Sequence, residues 1–195
     1  SPGWVTYCEH NYPEFIENLS SAKSPQAMFG ALAKTYYAKT ANIDPAKIYS
    51  VSVMPCTAKK YECARPELKD SGYTDVDAVL TTRELAKMIK EAGIDFVNLP
   101  DEEFDAPMGT STGAGVIFGV TGGVMEAALR TVYEAVSGET LETVDFYDVR
   151  GLEGIKEAVV NIPKLGEVKV AVAHGLRNAS NLLDRIKNGE AEYNF

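Results

Sequence analysis

Residues 48–65 read IYSVSVMPCTAKKYECAR. The β-branched run between Tyr49 and Val53 predicts a buried strand over Ile48–Met54. Pro55 ends it, because a proline has no N–H for a sheet ladder. Cys56 follows at once, then Thr57, Lys59, Lys60, Glu62 and Cys63, with a short helical turn expected over Thr57–Cys63. A thiol and an ammonium are thus delivered side by side at the carboxyl end of a strand, where open α/β sheets place their ligands. A cysteine after a buried strand is most often a core thiol. Lys59 changes the balance, since a nearby ammonium favours thiolate, the form that binds metal or attacks. A helix beginning near Thr57 would add its amino-terminal dipole in the same sense. Cys56 therefore reads as a soft-metal ligand or a reactive thiol, and spacing alone does not choose. It cannot supply a whole iron–sulfur site, which needs about four ligands.

Outward from this stretch, helices and strands alternate. Ser24-Pro25 is a good helix start, and Met28, Phe29, Leu32, Tyr36 and Tyr37 recur at helical spacing, which predicts an amphipathic helix over Pro25–Thr40. Ala78–Leu80 reads as a second strand. Thr81-Thr82-Arg83-Glu84 has the form of a capping box opening a helix through Ala92, with Leu85, Met88 and Ile89 facing the core. Pro2-Gly3 reads as a turn, Glu14–Leu19 as helical, and residues 107–123 as a glycine-rich loop. A helix over Val124–Ser137, stopped by Gly138, is followed by strands over Val144–Val149, Ala158–Ile162 and Val168–Ala173. The last two are joined through Lys164-Leu165-Gly166 as a hairpin, and Asn178 or Ser180 caps a final helix. The expected class is α/β: a mostly parallel sheet flanked by helices, with a local antiparallel hairpin.

The 195 residues suffice for one domain with a full core or for two small lobes. A formal charge of -9 and a pI near 4.8 argue against nucleic acid and against an anionic membrane surface. No apolar run approaches the roughly 20 residues of a membrane span. Three cysteines (Cys8, Cys56, Cys63) show no zinc spacing and predict reduced, mostly buried thiols in the cytoplasm. Gly113, Gly115 and Gly119 are spaced one residue too long for a dinucleotide fingerprint; they let a backbone pass close to a helix or a cofactor. Gly122-Gly123 then leads into a helix amino end that could face an anion. His10 and His174 have no ligand partner in sequence. The opening Ser1-Pro2-Gly3-Trp4 and the closing Tyr193-Asn194-Phe195 read as cut ends, so the chain is expected to be an internal piece.

At Met54-Pro55-Cys56-Thr57-Ala58-Lys59-Lys60-Tyr61-Glu62 the chain resembles the second signature of the iron-only ([FeFe]) hydrogenase catalytic domain, M-P-C-x-x-K-x-x-E. Ser1-Pro2-Gly3-Trp4 is similar to the end of the first signature, and Leu19–Gln26 to the family's L-S-S-x-K-S-P-Q segment. Asp77–Leu85 and Gly113–Ala128 resemble further segments, so the resemblance runs over essentially the whole chain as one part of a two-lobed catalytic domain. It implies an H-cluster: a cubane [4Fe-4S] cluster joined through a cysteine to a di-iron unit carrying carbon monoxide, cyanide and azadithiolate. Cys56 matches a cubane ligand. Lys59 matches the lysine that hydrogen-bonds a cyanide, Ser20 matches a serine of the proton path, and Glu62 is carried over with them as a catalytic position. Ser24, Pro25, Gln26 and Met54 match residues around the di-iron unit, and Phe118, with Gly119, its wall.

The resemblance further implies H2 and protons as substrates, ferredoxin or a similar electron carrier, and the remainder of the catalytic domain as partner. Ser1 falls where the family has a cluster-ligating cysteine, and the third signature would begin after Phe195, so the 195 residues alone are expected to be inactive. Cys8 and Cys63 match no ligand. Two other readings stay open: a non-catalytic iron–sulfur assembly or sensor relative on the same fold, and a metal-free α/β domain that binds an anion at the glycine stretch.

Overall fold

A computed structural model describes residues 1–110, 112–141, 145, 147–148 and 153–194. The chain divides into two compact units, Ser1–Gly109 and Thr110–Phe195. In the first, α1 spans Pro2–Asn11, where a turn was expected at Pro2-Gly3. Proline is at home in the first helical turn, since its missing N–H has no partner there anyway. The helical segment expected over Glu14–Leu19 is a 3-10 helix over Pro13–Asn18, and α2 (Pro25–Leu32) begins as predicted: the Ser24 hydroxyl accepts from Ala27 N–H.

The face that α2 buries is not the one its large residues mark. Met28, Phe29, Leu32 and Tyr36 are 42%, 56%, 49% and 62% exposed, whereas Gln26, Ala27, Gly30, Ala33, Lys34 and Ala38 are buried. Approach distance is the reason. A Cβ on Gly30 would lie 2.1 Å from the backbone oxygen of Asp75, so only glycine fits at that point of the face. The helix is also not uniform: a π turn over Ala33–Tyr37 joins α2 to α3 (Ala38–Thr40). Within that turn the Lys34 Nζ donates to both oxygens of Asp77 (2.7 and 2.6 Å) and to the Thr74 carbonyl (2.6 Å).

β1 (Val51–Met54) leads into α4 (Ala58–Cys63), and β2 (Ala78–Thr81) into α5 (Thr82–Glu91). The two strands pair in parallel, with Ser52 opposite Val79 and Met54 opposite Thr81. β1 is not the buried strand expected: Val51 and Val53 are exposed, and Ser52 and Met54 are half-buried. Among the described residues, β1 pairs with β2 alone. Asp77 fixes the strand starts, because its carboxylate also accepts from Ser50 N–H at 2.7 Å. The capping box of α5 is present in both directions: Thr81 Oγ1 accepts from Glu84 N–H, and Glu84 accepts from Thr81 N–H. Leu85 and Ile89 are half-buried, but Met88 is exposed.

In the second unit, α6 (Gly113–Ile117) lies inside the stretch expected to be loop. It packs on α7 (Gly123–Ser137), and a Cβ on Gly123 would meet the Ile117 carbonyl oxygen at 1.7 Å. The glycine there serves a close helix contact. β3 (Tyr147–Asp148), β4 (Ile155–Ile162) and β5 (Gly166–Ala173) form an antiparallel sheet in that order, followed by α8 (Leu176–Lys187). Of the strand expected over Val144–Val149, only Tyr147 and Asp148 fall in β3; residues 144, 146 and 149 lie outside the described residues. The hairpin is as predicted, with longer strands. Leu129 of α7 packs with Ala158, Val160, Ile162, Val168 and Val170 as the core of this unit. The described parts thus combine a small parallel pair, flanking helices and an antiparallel hairpin.

Candidate functional site

β1 points its carboxyl end at Pro55-Cys56, and α4 begins two residues later. The Cys56 carbonyl accepts from Lys59 N–H (3.3 Å), which starts the helical turn. The Cys56 side chain is a free, exposed thiol. Of the three cysteines only Cys8 is buried; Cys63 is half-buried and donates to the Lys60 carbonyl at 3.2 Å. Burial is the first cause that raises the thiols of Cys8 and Cys63 above the ordinary cysteine range. Such thiols resist becoming thiolate.

Lys59 and Glu62 sit at i and i+3 on α4, and Lys59 Nζ donates to Glu62 Oε2 at 2.8 Å. Their side chains are only 15% and 9% exposed, so the pair is nearly dry. Gln26 Nε2 donates to the same oxygen at 3.4 Å, and Ser52 Oγ donates to Gln26 Oε1 at 2.9 Å. A chain Ser52–Gln26–Glu62–Lys59 therefore links β1, α2 and α4.

Between α2 and β1 runs a groove of about 650 Å³, lined by Pro25, Gln26, Phe29, Ser52, Met54 and Met108 among others. The structure thus gathers Pro25, Gln26 and Met54 at the groove, with Lys59 and Glu62 tied to Gln26 and with Cys56 past the end of β1. Ser24 caps the helix that carries Pro25 and Gln26. Ser20 is exposed and makes a local bond, its hydroxyl oxygen accepting from Ala22 N–H at 3.2 Å. Phe118 and Gly119 follow α6 in the second unit. That unit has a smaller cavity of about 120 Å³ near the start of α7, lined by Thr121, Gly122, Gly154, Lys156, Val172 and His174. Sequence reasoning missed Ser52. Its one signal is a hydroxyl interrupting an apolar strand.

Among the described residues, no group of three or more His, Cys, Asp and Glu side chains is placed to hold a metal ion. Cys56 is a single accessible thiol with a dry ammonium on the next helical turn. This donor set fits one corner of a soft-metal cluster with anionic ligands and does not fit a complete site.

A family described as iron only hydrogenase large subunit, C-terminal domain, matches residues 1–195. The chain is 60% identical over 189 residues to the NADP-reducing hydrogenase subunit HndD of Solidesulfovibrio fructosivorans, covering 97% of this chain and 32% of that protein. It is 58% identical over 194 residues to the periplasmic [Fe] hydrogenase large subunit of Nitratidesulfovibrio vulgaris, covering 100% of this chain and 46% of that one. Relatives named for cytosolic iron–sulfur assembly are more distant, with 35% identity to component 3 from Pongo abelii. Among solved structures, a variant of the apo [FeFe]-hydrogenase HydA1 from Chlamydomonas reinhardtii superposes with a TM-score of 0.83 at 40% identity, over 100% of this chain and 56% of that one. The chain spans between about a third and about a half of the curated hydrogenases it matches. With a family match across all of its residues and relatives at this identity, the chain belongs to the iron-only hydrogenase large subunits, in their C-terminal domain.

Proposed function

We propose that this chain is the central part of a hydrogenase catalytic domain, and that the parent enzyme interconverts protons and electrons with H2 at an H-cluster. The observation that carries the reading is Cys56: an exposed thiol beyond the end of β1, one helical turn from an ammonium held in a nearly dry ion pair. The cluster, when bound, supplies the redox chemistry; the protein supplies ligands, hydrogen bonds and exclusion of water. Cys56 as thiolate is one cubane ligand. Lys59 has three N–H donors, of which Glu62 takes one, so donors remain for an anionic ligand such as cyanide. Glu62 holds that ammonium in place. Pro25 and Met54 supply an apolar wall that keeps water from the cofactor, Gln26 beside them holds Glu62, and Ser24 caps the helix that carries Pro25 and Gln26. Ser20 is assigned to proton transfer, and Phe118 and Gly119 to the cofactor wall, from the resemblance of their segments alone. Electrons arrive from ferredoxin or a similar carrier.

The test uses the complete parent enzyme after maturation. Cys56→Ala is expected to lower iron and sulfide content and to abolish the infrared bands of bound carbon monoxide and cyanide. Full iron content and unchanged bands in that variant would refute the assignment. A wild-type parent that binds iron and sulfide but shows no such bands would favour the assembly-type relative.

A further inference from the structure

The ion pair does not end at Glu62. Glu62 Oε2 accepts from two donors, Lys59 Nζ and Gln26 Nε2, so whatever moves that oxygen moves the ammonium. The other end of the Gln26 amide is also held, because its oxygen accepts from Ser52 Oγ at 2.9 Å. We propose that Ser52, acting through Gln26 and Glu62, is a positioning residue for the Lys59 ammonium. The proposal rests on the reading of Lys59 above as the donor to an anionic cofactor ligand.

The geometry gives the reason. A primary amide has an acceptor end and a donor end, and here each has one fixed partner, so a single setting of the Gln26 side chain satisfies both. Ser52 lies on β1, whose backbone is locked by parallel pairing with β2, Ser52 opposite Val79. Glu62 and Lys59 lie on a helix of only six residues, and lysine has a flexible four-carbon stem. Through Gln26, the carboxylate is tied to the sheet as well as to that short helix.

Stability alone does not explain the chain. Gln26 and Glu62 are only 8% and 7% exposed, and a buried polar network is rarely better for stability than apolar residues of the same volume. The strand around Ser52 is otherwise Val51, Val53 and Met54, and an alanine would fit the same place in β1. What the hydroxyl adds is a fixed point for the next group.

The experiment uses the complete parent enzyme, with Ser52→Ala and Ser52→Thr. In the iron-free protein, labelled with 15N at glutamine and lysine side chains, two signals are followed: the Gln26 side-chain NH2 and the Lys59 ammonium. Ser52→Ala is expected to speed proton exchange at both several-fold. In the matured enzyme it is expected to shift or broaden a cyanide infrared band at unchanged iron content, and Ser52→Thr to restore both readouts. Wild-type exchange at both sites in Ser52→Ala overturns the proposal. So does an equal disturbance in Ser52→Thr, which keeps the hydroxyl. If the wild-type parent shows no cyanide band, the cofactor reading fails, and the iron-free signals still decide whether Ser52 holds the Lys59 ammonium. Should Ser52→Ala not fold, Gln26→Met removes the same link, and unchanged Lys59 exchange there also overturns the proposal.

Discussion

Gly30→Ala sets two rules against each other. Gly30 lies inside α2, and in an open helix the change to alanine stabilises by about 1 kcal/mol. Here the new Cβ would stand 2.1 Å from the Asp75 carbonyl oxygen, 2.6 Å from its carbon and 3.1 Å from a Val76 methyl. Ordinary contact begins near 3.4 Å, so the backbones must part by more than an ångström. Neither side can move freely. Asp75 N–H donates to the Leu68 carbonyl at 3.1 Å, and its carboxylate holds Lys23 at 2.7 Å. Two residues on, Asp77 is tied to Lys34 and to Ser50 N–H. Overpacking of this kind costs about 1–3 kcal/mol, and the close backbone contact puts it at the upper end. After the propensity gain, a net loss of about 2 kcal/mol is expected. Hydrogen exchange on the iron-free parent reads it locally: amides of α2 and of residues 74–77 should exchange roughly 30-fold faster, since about 1.4 kcal/mol is tenfold. Exchange equal to or slower than wild type would mean that helix propensity governs the site and that the close approach is wrong.

Lys34→Met strands the Asp77 carboxylate with Ser50 N–H as its remaining described partner; about 3 kcal/mol of stability should be lost, read by denaturant unfolding, and Lys34→Met with Asp77→Asn should recover part of it. The Tyr193 phenol is pushed up to about 12, first by burial and then by its hydrogen bond to Glu157. The fold therefore favours the neutral phenol, a contribution complete below pH 10 and lost as pH rises toward 12. Alkaline titration of stability should show that loss in the wild type and not in Tyr193→Phe. Glu84 is held down to about 2, first by Lys60 and then by Thr81, so its contribution is complete above pH 4.5 and fades as pH falls toward 2. Amide exchange at the start of α5 should quicken over that acid range, and Thr81→Ala should quicken it at neutral pH by the loss of about 1 kcal/mol; a variant with wild-type protection there would count against the cap.

What the sequence disclosed about this molecule is what short-range chemistry writes. The Thr81–Glu84 box needs only neighbouring residues, and the Lys164–Gly166 turn between two alternating strands is equally local. The arrangement of Cys56, Lys59 and Glu62 is also local, because one strand end and one helical turn fix it. Side-chain size misled at α2, where Met28, Phe29 and Leu32 drew attention although the buried face is set by Gly30 against Asp75, far away along the chain. The π turn that aims Lys34 at Asp77 has no local signature. Pro2-Gly3 suits a turn or a helix start equally well. Ser52 stayed hidden because its partner, Gln26, sits on another element. The cofactor could be named only from the resemblance, since one thiol does not define a cluster.

The parallel pairing of β1 with β2 has a consequence for the order of folding. An antiparallel hairpin such as β4–β5 closes over the short loop at residues 163–165, whereas parallel strands meet only after a full crossover has been wound between them. Here the crossover is residues 55–77, and it contains Cys56, Lys59 and Glu62. Loop-closure entropy makes such non-local pairing the slower event. Cys56, Lys59 and Glu62 thus lie in the chain segment that this slower closure brings into place, and the β4–β5 hairpin is expected to gain protection first.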